Sequence, residues 1–333
     1  MGRLPSPFHG SLGLLLALGA LAPAARCAVA VDTQQDFAIA LPPGPNDSGA
    51  SLRESAVLWY PAQSCYYLVA DVVPLDSSHH PNTYETGLHL WRSRDLADWT
   101  HLGTVVPVGS AGRFDAHGAA SPAGMAIFQG AVYVAYSARK TAAFTQRGIG
   151  IAFSGDDPNR VPWTRLDRPV SDPPGEDDDP ALVTVPGDDR LHLYHRTTGG
   201  PAGYRIVHTA SRTPQIPESW DDAVDVTVRP EGVRAQELTG AIWLDGRMHL
   251  FVIEQGPGVT GIRIAHLVGD GPEGPFEAVK PGQRYLDYVP ARVAYGGHFT
   301  PVLQDGKLVA AFWTVFQDGP RYGLLGHPVR WAP

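Results

Sequence analysis

The sequence predicts an all-β fold, a five-bladed β-propeller, and three observations carry that prediction. Five segments read alike: a short apolar run, a hairpin turn usually marked by Gly or Asp, then a second run rich in aromatic or aliphatic residues. Their starts at Val57, Met125, Leu182, Ala241 and Pro301 lie 68, 57, 59 and 60 residues apart, and a unit of that size cannot bury its own apolar face without stacked neighbours. No long helical periodicity interrupts them, and 37 Gly with 31 Pro suit many short strands joined by tight turns.

Before the repeats, the first thirty residues read as a secretory signal. Arg3 supplies the positive end, Leu12 to Ala22 the apolar stretch, and Ala28-Val29-Ala30 a small-x-small cleavage site. The apolar stretch is about half the roughly 20 residues a membrane span needs, and Pro23 breaks the chain just beyond it. The expectation is a secreted or periplasmic protein with residues 1–30 as signal peptide and 31–333 as one propeller domain. Residues 31–50, rich in Pro, Gly, Asn and Asp, read as an irregular lead-in.

The first repeat, VLWYPAQSCYYLVAD from Val57, is followed by the strand-like run Gly87-Leu88-His89-Leu90-Trp91. The second, MAIFQGAVYVAYSAR from Met125, is followed by Gly148-Ile149-Gly150-Ile151-Ala152. LVTVPGDDRLHLYHR from Leu182, AIWLDGRMHLFVIE from Ala241 and PVLQDGKLVAAFWT from Pro301 open the remaining three. Trp99, Trp163 and Trp220 recur at one place in successive outer strands, each after a serine at Ser93, Ser154 or Ser211. Indole faces also stack on sugars, but this recurrence reads as packing that fills the gap between adjacent blades.

Cleavage after Ala30 removes one of two cysteines, so Cys65 has no intramolecular partner and the fold must rest on its apolar core. The formal charge of −8 becomes −10 as Arg3 and Arg26 leave, and no basic run remains, which argues against nucleic acid as a partner.

In a propeller the first strand of each blade lines the central channel, so the residues that open the repeats face one small volume. These are Glu54, Ser121, Asp179, Glu237 and His298, each eight or nine residues before the turn of its own blade. Carboxylates from blades 1, 3 and 4 therefore converge at one end, where mutual repulsion separates acid from base. A wet polar channel mouth is the plainer reading, yet three acids at equivalent positions in a chain with 18% charged residues favour a site. The rest of the run Glu176-Asp177-Asp178 reads as solvated loop.

Taken in blade order, SRDLADWTHLG from Ser93, ASPAGMAIFQGAVYVAYSA from Ala120, DDPALV from Asp178, ELTGAIW from Glu237 and GHFTPVLQDG from Gly297 resemble the five-bladed glycoside hydrolases of family 43. The likeness runs over nearly the whole mature chain. Relatives in families 32, 62, 68 and 117 belong to the same group, and FDAHGAASPAG from Phe114 looks like families 32 and 117. The resemblance implies an inverting hydrolase acting on oligo- or polysaccharides at furanoside or xyloside linkages. It implies Glu237 as general acid, Asp179 as the carboxylate that orients it, and Glu54 as base. Where the family has Asp-Pro, this chain has Glu54-Ser55; Asp115 is the alternative base. Where the family usually has Gly-Pro after the acid, Leu238-Thr239 stands here. His298 matches a histidine that holds a hydrated calcium in relatives; no other cofactor is implied. Asp115, His117, Ser121, Arg234 and His298 are candidate substrate contacts. A sugar-binding propeller without catalysis and a retaining, family 32-like fructoside hydrolase stand as alternatives.

Overall fold

A computed structural model describes residues 28–31, 37–38, 50–74, 87–142, 146–173, 175–198, 204–228, 235–255, 263–279, 299–318 and 321–332. Two short strands come first, β1 (Ala28–Val31) and β2 (Phe37–Ala38). Sheet 1 holds β3 (Ala50–Tyr60), β4 (Cys65–Pro74), β5 (Gly87–Ser93) and β6 (Thr100–Pro107). Sheet 2 holds β7 (Gly118–Ala120), β8 (Met125–Phe128), β9 (Ala131–Arg139), β10 (Arg147–Phe153) and β11 (Thr164–Arg165). Sheet 3 follows with β12 (Asp177–Thr184), β13 (Leu191–Thr198), β14 (Tyr204–Ser211) and β15 (Val224–Asp225). Sheet 4 comprises β16 (Ala235–Leu244), β17 (Arg247–Gln255), β18 (Arg263–Gly269) and β19 (Phe276–Ala278). Sheet 5 closes the chain with β20 (Phe299–Gln304), β21 (Lys307–Asp318) and β22 (Arg321–Ala332), and β22 also pairs with β1 and β2.

The chain is all-β and its sheets are arranged as a β-propeller. Each described sheet is an antiparallel meander whose first strand lies innermost. The inner strands touch in chain order, β3 to β8, β8 to β12, β12 to β16 and β16 to β20, and β20 returns to β3. The repeated hairpins form where the sequence places them because their turns accept positive φ. Gln129 and Gly130 stand at 48° and 83°, Asp245 and Gly246 at 51° and 75°, Asp305 and Gly306 at 50° and 75°. Two successive left-handed residues make the turn that matches strand twist.

The core lies in the seams between sheets. Leu90 and Val106 meet Val134 and Trp163 between sheets 1 and 2, while Ile149 and Ile151 meet Leu182 and Leu193 between sheets 2 and 3. Leu68, Trp91 and Trp99 meet Val302 and Phe312 where sheet 1 packs on sheet 5. Each fully buried aliphatic side chain contributes roughly 1.5–3 kcal/mol by leaving water. Trp99 and Trp163 fill these seams as packing residues, with indole N–H groups donating to Leu96 O at 2.8 Å and Pro158 O at 3.1 Å. Trp220 packs on the seam of sheets 2 and 3. The preceding serine closes a turn: Ser93 Oγ accepts from Leu96 N at 2.9 Å.

The lead-in contains β2, and Ala28-Val29-Ala30 lies within β1, paired with Arg330–Ala332. The partner strand is some 300 residues away, so no local pattern announces either strand. Cys65 is buried and unbridged. Among the described residues no helix is long and apolar enough to cross a membrane.

Candidate functional site

Each of the three acidic openings sits beside an irregularity in its inner strand. In sheet 1 the register between β3 and β4 shifts between Leu52 and Ser55, so Arg53 and Glu54 bulge opposite Asp71. Bulges re-aim side chains at sheet rims. Glu54 is buried, and its N–H donates to Asp71 Oδ1 at 2.6 Å. Arg53 bridges the two acids, with Nη2 at 3.1 Å from Glu54 Oε2 and Nε at 3.2 Å from Asp71 Oδ2. Asp71 is fully buried.

Sheet 3 repeats the device. The register between β12 and β13 shifts between Asp178 and Ala181, and Asp179 takes a left-handed φ of 54°, uncommon for a residue with a Cβ. Arg196, on β13, sits against it with Nε at 2.9 Å from Asp179 Oδ2. The same guanidinium reaches Asp178 Oδ2 at 2.5 Å and Glu176 Oε1 at 3.0 Å. Asp178 also accepts from Arg147 Nη1 at 2.5 Å and from the Ser137 hydroxyl. Burial alone would raise the Asp178 carboxyl, but the two guanidiniums and the hydroxyl outweigh it and hold that group well below the usual carboxylate range. Glu176 is pushed up to about 7 by burial and by the charge of Asp178, against the pull of Arg196 and Arg147.

This corrects the reading of Glu176-Asp177-Asp178 as solvated loop. All three are buried. Asp177 bonds the Ser171 hydroxyl and lies 3.7 Å from His195 Nδ1, whose ring burial holds below its ordinary pKa. A row of acids is solvated by default, and here guanidiniums from β10 and β13 replace the water.

In sheet 4, Glu237 lies on β16 opposite Ile253 and is half-buried. The register shifts just beyond it, between Leu238 and Gly240. A Cβ on Gly240 would stand 2.6 Å from Pro301 Cδ, so glycine lets β16 approach β20. Glu237 acts on Arg196: burial works against that guanidinium, and Asp179, Asp178, Glu237 and Glu176, in that order, keep it charged. The charges of the sheet 3 and sheet 4 acids thus act on one cation, which Asp179 contacts directly.

Ser121 lies in the break between β7 and β8, buried, at φ 53°, the same backbone region as Asp179. Bonds between inner strands fix these openings: Ala123 N donates to Pro180 O at 3.0 Å and Thr300 Oγ1 to Ser55 O at 2.6 Å. Since Gly124 and Ala181 bridge in parallel and the sheets share one winding, Glu54, Ser121, Asp179 and Glu237 stand at one end of the inner strands. At the turn end lies an apolar cavity of about 260 Å³ lined by Val57, Trp59, Met125, Ile242 and Leu303.

Asp115 is placed differently. Its side chain is fully buried and takes Arg113 Nε at 3.2 Å, Arg165 Nη1 at 2.7 Å and the Tyr136 hydroxyl at 3.1 Å. That makes it a structural anion tying the 109–115 loop to β9 and β11, with no oxygen left open to water or a sugar. His117 is exposed just before β7. His298 and Arg234 lie outside the described residues. Among the described residues no group of three His, Cys, Asp or Glu is arranged to hold a metal ion. Arg53, Asp71, Arg147 and Arg196 went unread in the sequence. The signal available was that Asp71 and Arg196 each stand three residues after Leu68 and Leu193, equivalent positions on middle strands.

No protein-family model matches the chain. No curated protein matches it in sequence. Solved structures do match. A thermostable family-43 glycoside hydrolase aligns with TM-score 0.65 at 17% identity over 87% of this chain and 91% of its own. The endo-arabinase of Bacteroides thetaiotaomicron aligns with TM-score 0.61 at 16% identity over 84% and 94%. A family 117 glycoside hydrolase from Zobellia galactanivorans aligns with TM-score 0.65 at 13% identity, covering 91% of both chains. These likenesses establish the propeller fold that the chain shares with them.

Proposed function

We propose that this chain is an exported, five-bladed glycoside hydrolase that cleaves furanoside or xyloside-type linkages in oligo- or polysaccharides with inversion. One observation carries the reading: carboxylates open the inner strands of sheets 1, 3 and 4 at the same end, and two of them, Asp179 and Glu237, act on one buried guanidinium. The fold-sharing structures support the substrate class, since they include family-43 hydrolases, an endo-arabinase and a GH43_1 enzyme from Xanthomonas citri complexed with xylotriose.

In this reading Glu237, half-buried and open on one side, protonates the leaving glycosidic oxygen. Glu54, an anion beside Arg53, takes a proton from the water that attacks the anomeric carbon from the opposite face. The C–O bond to the leaving group breaks as the bond to water forms, and the charge that develops on the ring is oxocarbenium-like. Asp179 orients Glu237. Inversion requires room for a water between acid and base, a carboxyl separation of about 6.5–9.5 Å.

The test is hydrolysis of arabino- and xylo-oligosaccharides followed by proton NMR. Release of the inverted anomer first supports the reading, and first release of the retained anomer transfers the enzyme to a double-displacement mechanism of the family 32 kind.

A second reading draws on one feature, the ion pair that occupies Glu54. If that pairing holds the carboxylate away from water, the propeller binds sugars without cleaving them. Calorimetry that shows saturable oligosaccharide binding, with intact ligand recovered after long incubation, selects it.

A further inference from the structure

We propose that Arg196 is the positioning residue of this site, clamping Asp179 in its left-handed bulge and coupling it to Glu237. The inference rests on the reading of Glu237 as general acid. Arg196 comes from the middle strand of sheet 3, is 5% exposed, and lies with its guanidinium carbon 4.5 Å from the Tyr204 ring centroid. A flat cation held on an aromatic face has little freedom to turn. Its edge is spent on carboxylates: Nε at 2.9 Å from Asp179, Nη2 at 2.5 Å from Asp178 and 3.0 Å from Glu176.

The division of labour is set by those contacts. Asp178 is also held by Arg147 and Ser137, so it anchors the guanidinium from behind. Asp179 has its backbone N–H on Asp178 Oδ1 at 3.0 Å and its carboxylate on Arg196. The residue thus sits in a backbone region it would otherwise leave, held at both ends by the same buried ion cluster. Glu237, on sheet 4, is among the carboxylates whose charge acts on Arg196, and its strand β16 packs against β13, which carries Arg196. The charge of Arg196 therefore acts across sheets 3 and 4 at the site and opposes the repulsion between Asp179 and Glu237. The other ionisable groups packed nearby are Arg147 on β10, Asp177 and Glu176 at the start of β12, and His195 beside Arg196.

Two substitutions separate position from charge. Arg196→Lys keeps a cation but loses the planar fork, so it should leave KM near wild type and lower kcat by roughly tenfold to a hundredfold, the cost of a misplaced catalytic group. Arg196→Met removes the cation. Carboxylates left with less positive charge hold their protons to higher pH, so the alkaline limb of the pH–rate profile should move up, the opposite of what Asp179→Asn does. Wild-type kcat in the lysine variant, or an unmoved alkaline limb in a folded methionine variant, overturns the proposal. If the methionine variant does not fold, the kcat-against-KM split in the lysine variant decides.

Carbon-13 NMR titration of the Glu237 and Asp179 carboxyls reads the same coupling without turnover. Should the wild type hydrolyse no glycoside, the proposed function falls by itself. The inference then stands if Glu237 titrates higher in Arg196→Met, or Asp179 higher in Arg196→Lys, and falls if both are unchanged.

Discussion

Acid should unfold this protein through paired histidines buried between strands, and the pair in sheet 4 gives the size of the effect. His249 on β17 and His266 on β18 stack with ring centroids 5.0 Å apart and share a bond between Nδ1 and Nε2 at 2.8 Å. His249 Nε2 also lies 3.1 Å from Leu244 O, which makes that nitrogen the donor and leaves His249 Nδ1 to accept from His266. Protonating His249 would place N–H against N–H. Burial holds His249 down to about 4; Arg247 adds to this and Asp245 opposes it. Burial and the neighbouring His249 hold His266 down to about 3. Both values lie below the ordinary 6.5, so both rings are neutral in the fold, and the unfolded chain binds two protons that the fold refuses. The stability is fully present above about pH 6.5 and is lost as pH falls from there through about 4 and on towards 3. Each such proton changes stability by about 1.4 kcal/mol per pH unit, so the pair contributes a slope of roughly 2.7 kcal/mol per unit. Urea unfolding at pH 7, 6, 5 and 4.5 measures it. The double variant His249→Gln, His266→Asn should lose a slope of that size between pH 6 and 4.5, whatever its stability at pH 7. An unchanged slope would refute the argument.

The ion cluster and the inner strands give three further outcomes. Asp179→Asn removes a negative charge near Glu237, so the alkaline limb of activity should shift towards acid while product binding stays unchanged; a folded, active variant with an unmoved limb contradicts the orienting role. Asp178→Ala leaves Arg147 and Arg196 facing each other without their shared anion and should cost about 3–5 kcal/mol in chemical denaturation, where a loss under 1 kcal/mol would mean water replaces it. Gly240→Ala sets a Cβ 2.6 Å from Pro301 Cδ and should destabilise by roughly 1–3 kcal/mol through separation of β16 and β20, read as a lowered Tm.

The propeller was legible because its signals are local. A Gln129-Gly130 turn and its strands lie within 15 residues, an Asp245-Gly246 turn and its strands within 21, and the same unit recurs. Trp99 and Trp163 could be assigned to packing for the same reason: recurrence at one place in successive sheets. The openings at Glu54, Asp179 and Glu237 could be numbered from the turns, but not their surroundings. Arg147 and Arg196 come from strands 31 and 18 residues from Asp178, and no local pattern distinguishes a buried acid whose cation arrives from elsewhere from a solvated one. The burial and pairing of Asp115 went unread for the same reason, its partner Arg165 lying 50 residues on. β1 and β2 were missed because their partner is at the opposite end of the chain.

The division of acid and base between Glu237 and Glu54 is read from the dependence of rate on the leaving group. Initial rates of wild type, Glu237→Gln and Glu54→Gln would be compared on a pentoside with an alkyl leaving group and on the matching dinitrophenyl glycoside, whose departure needs no proton. Glu237→Gln should lose about 10²–10⁴-fold on the alkyl substrate and little on the activated one, while Glu54→Gln should lose comparably on both. Equal losses on both substrates for Glu237→Gln, or full activity in either variant, would contradict it.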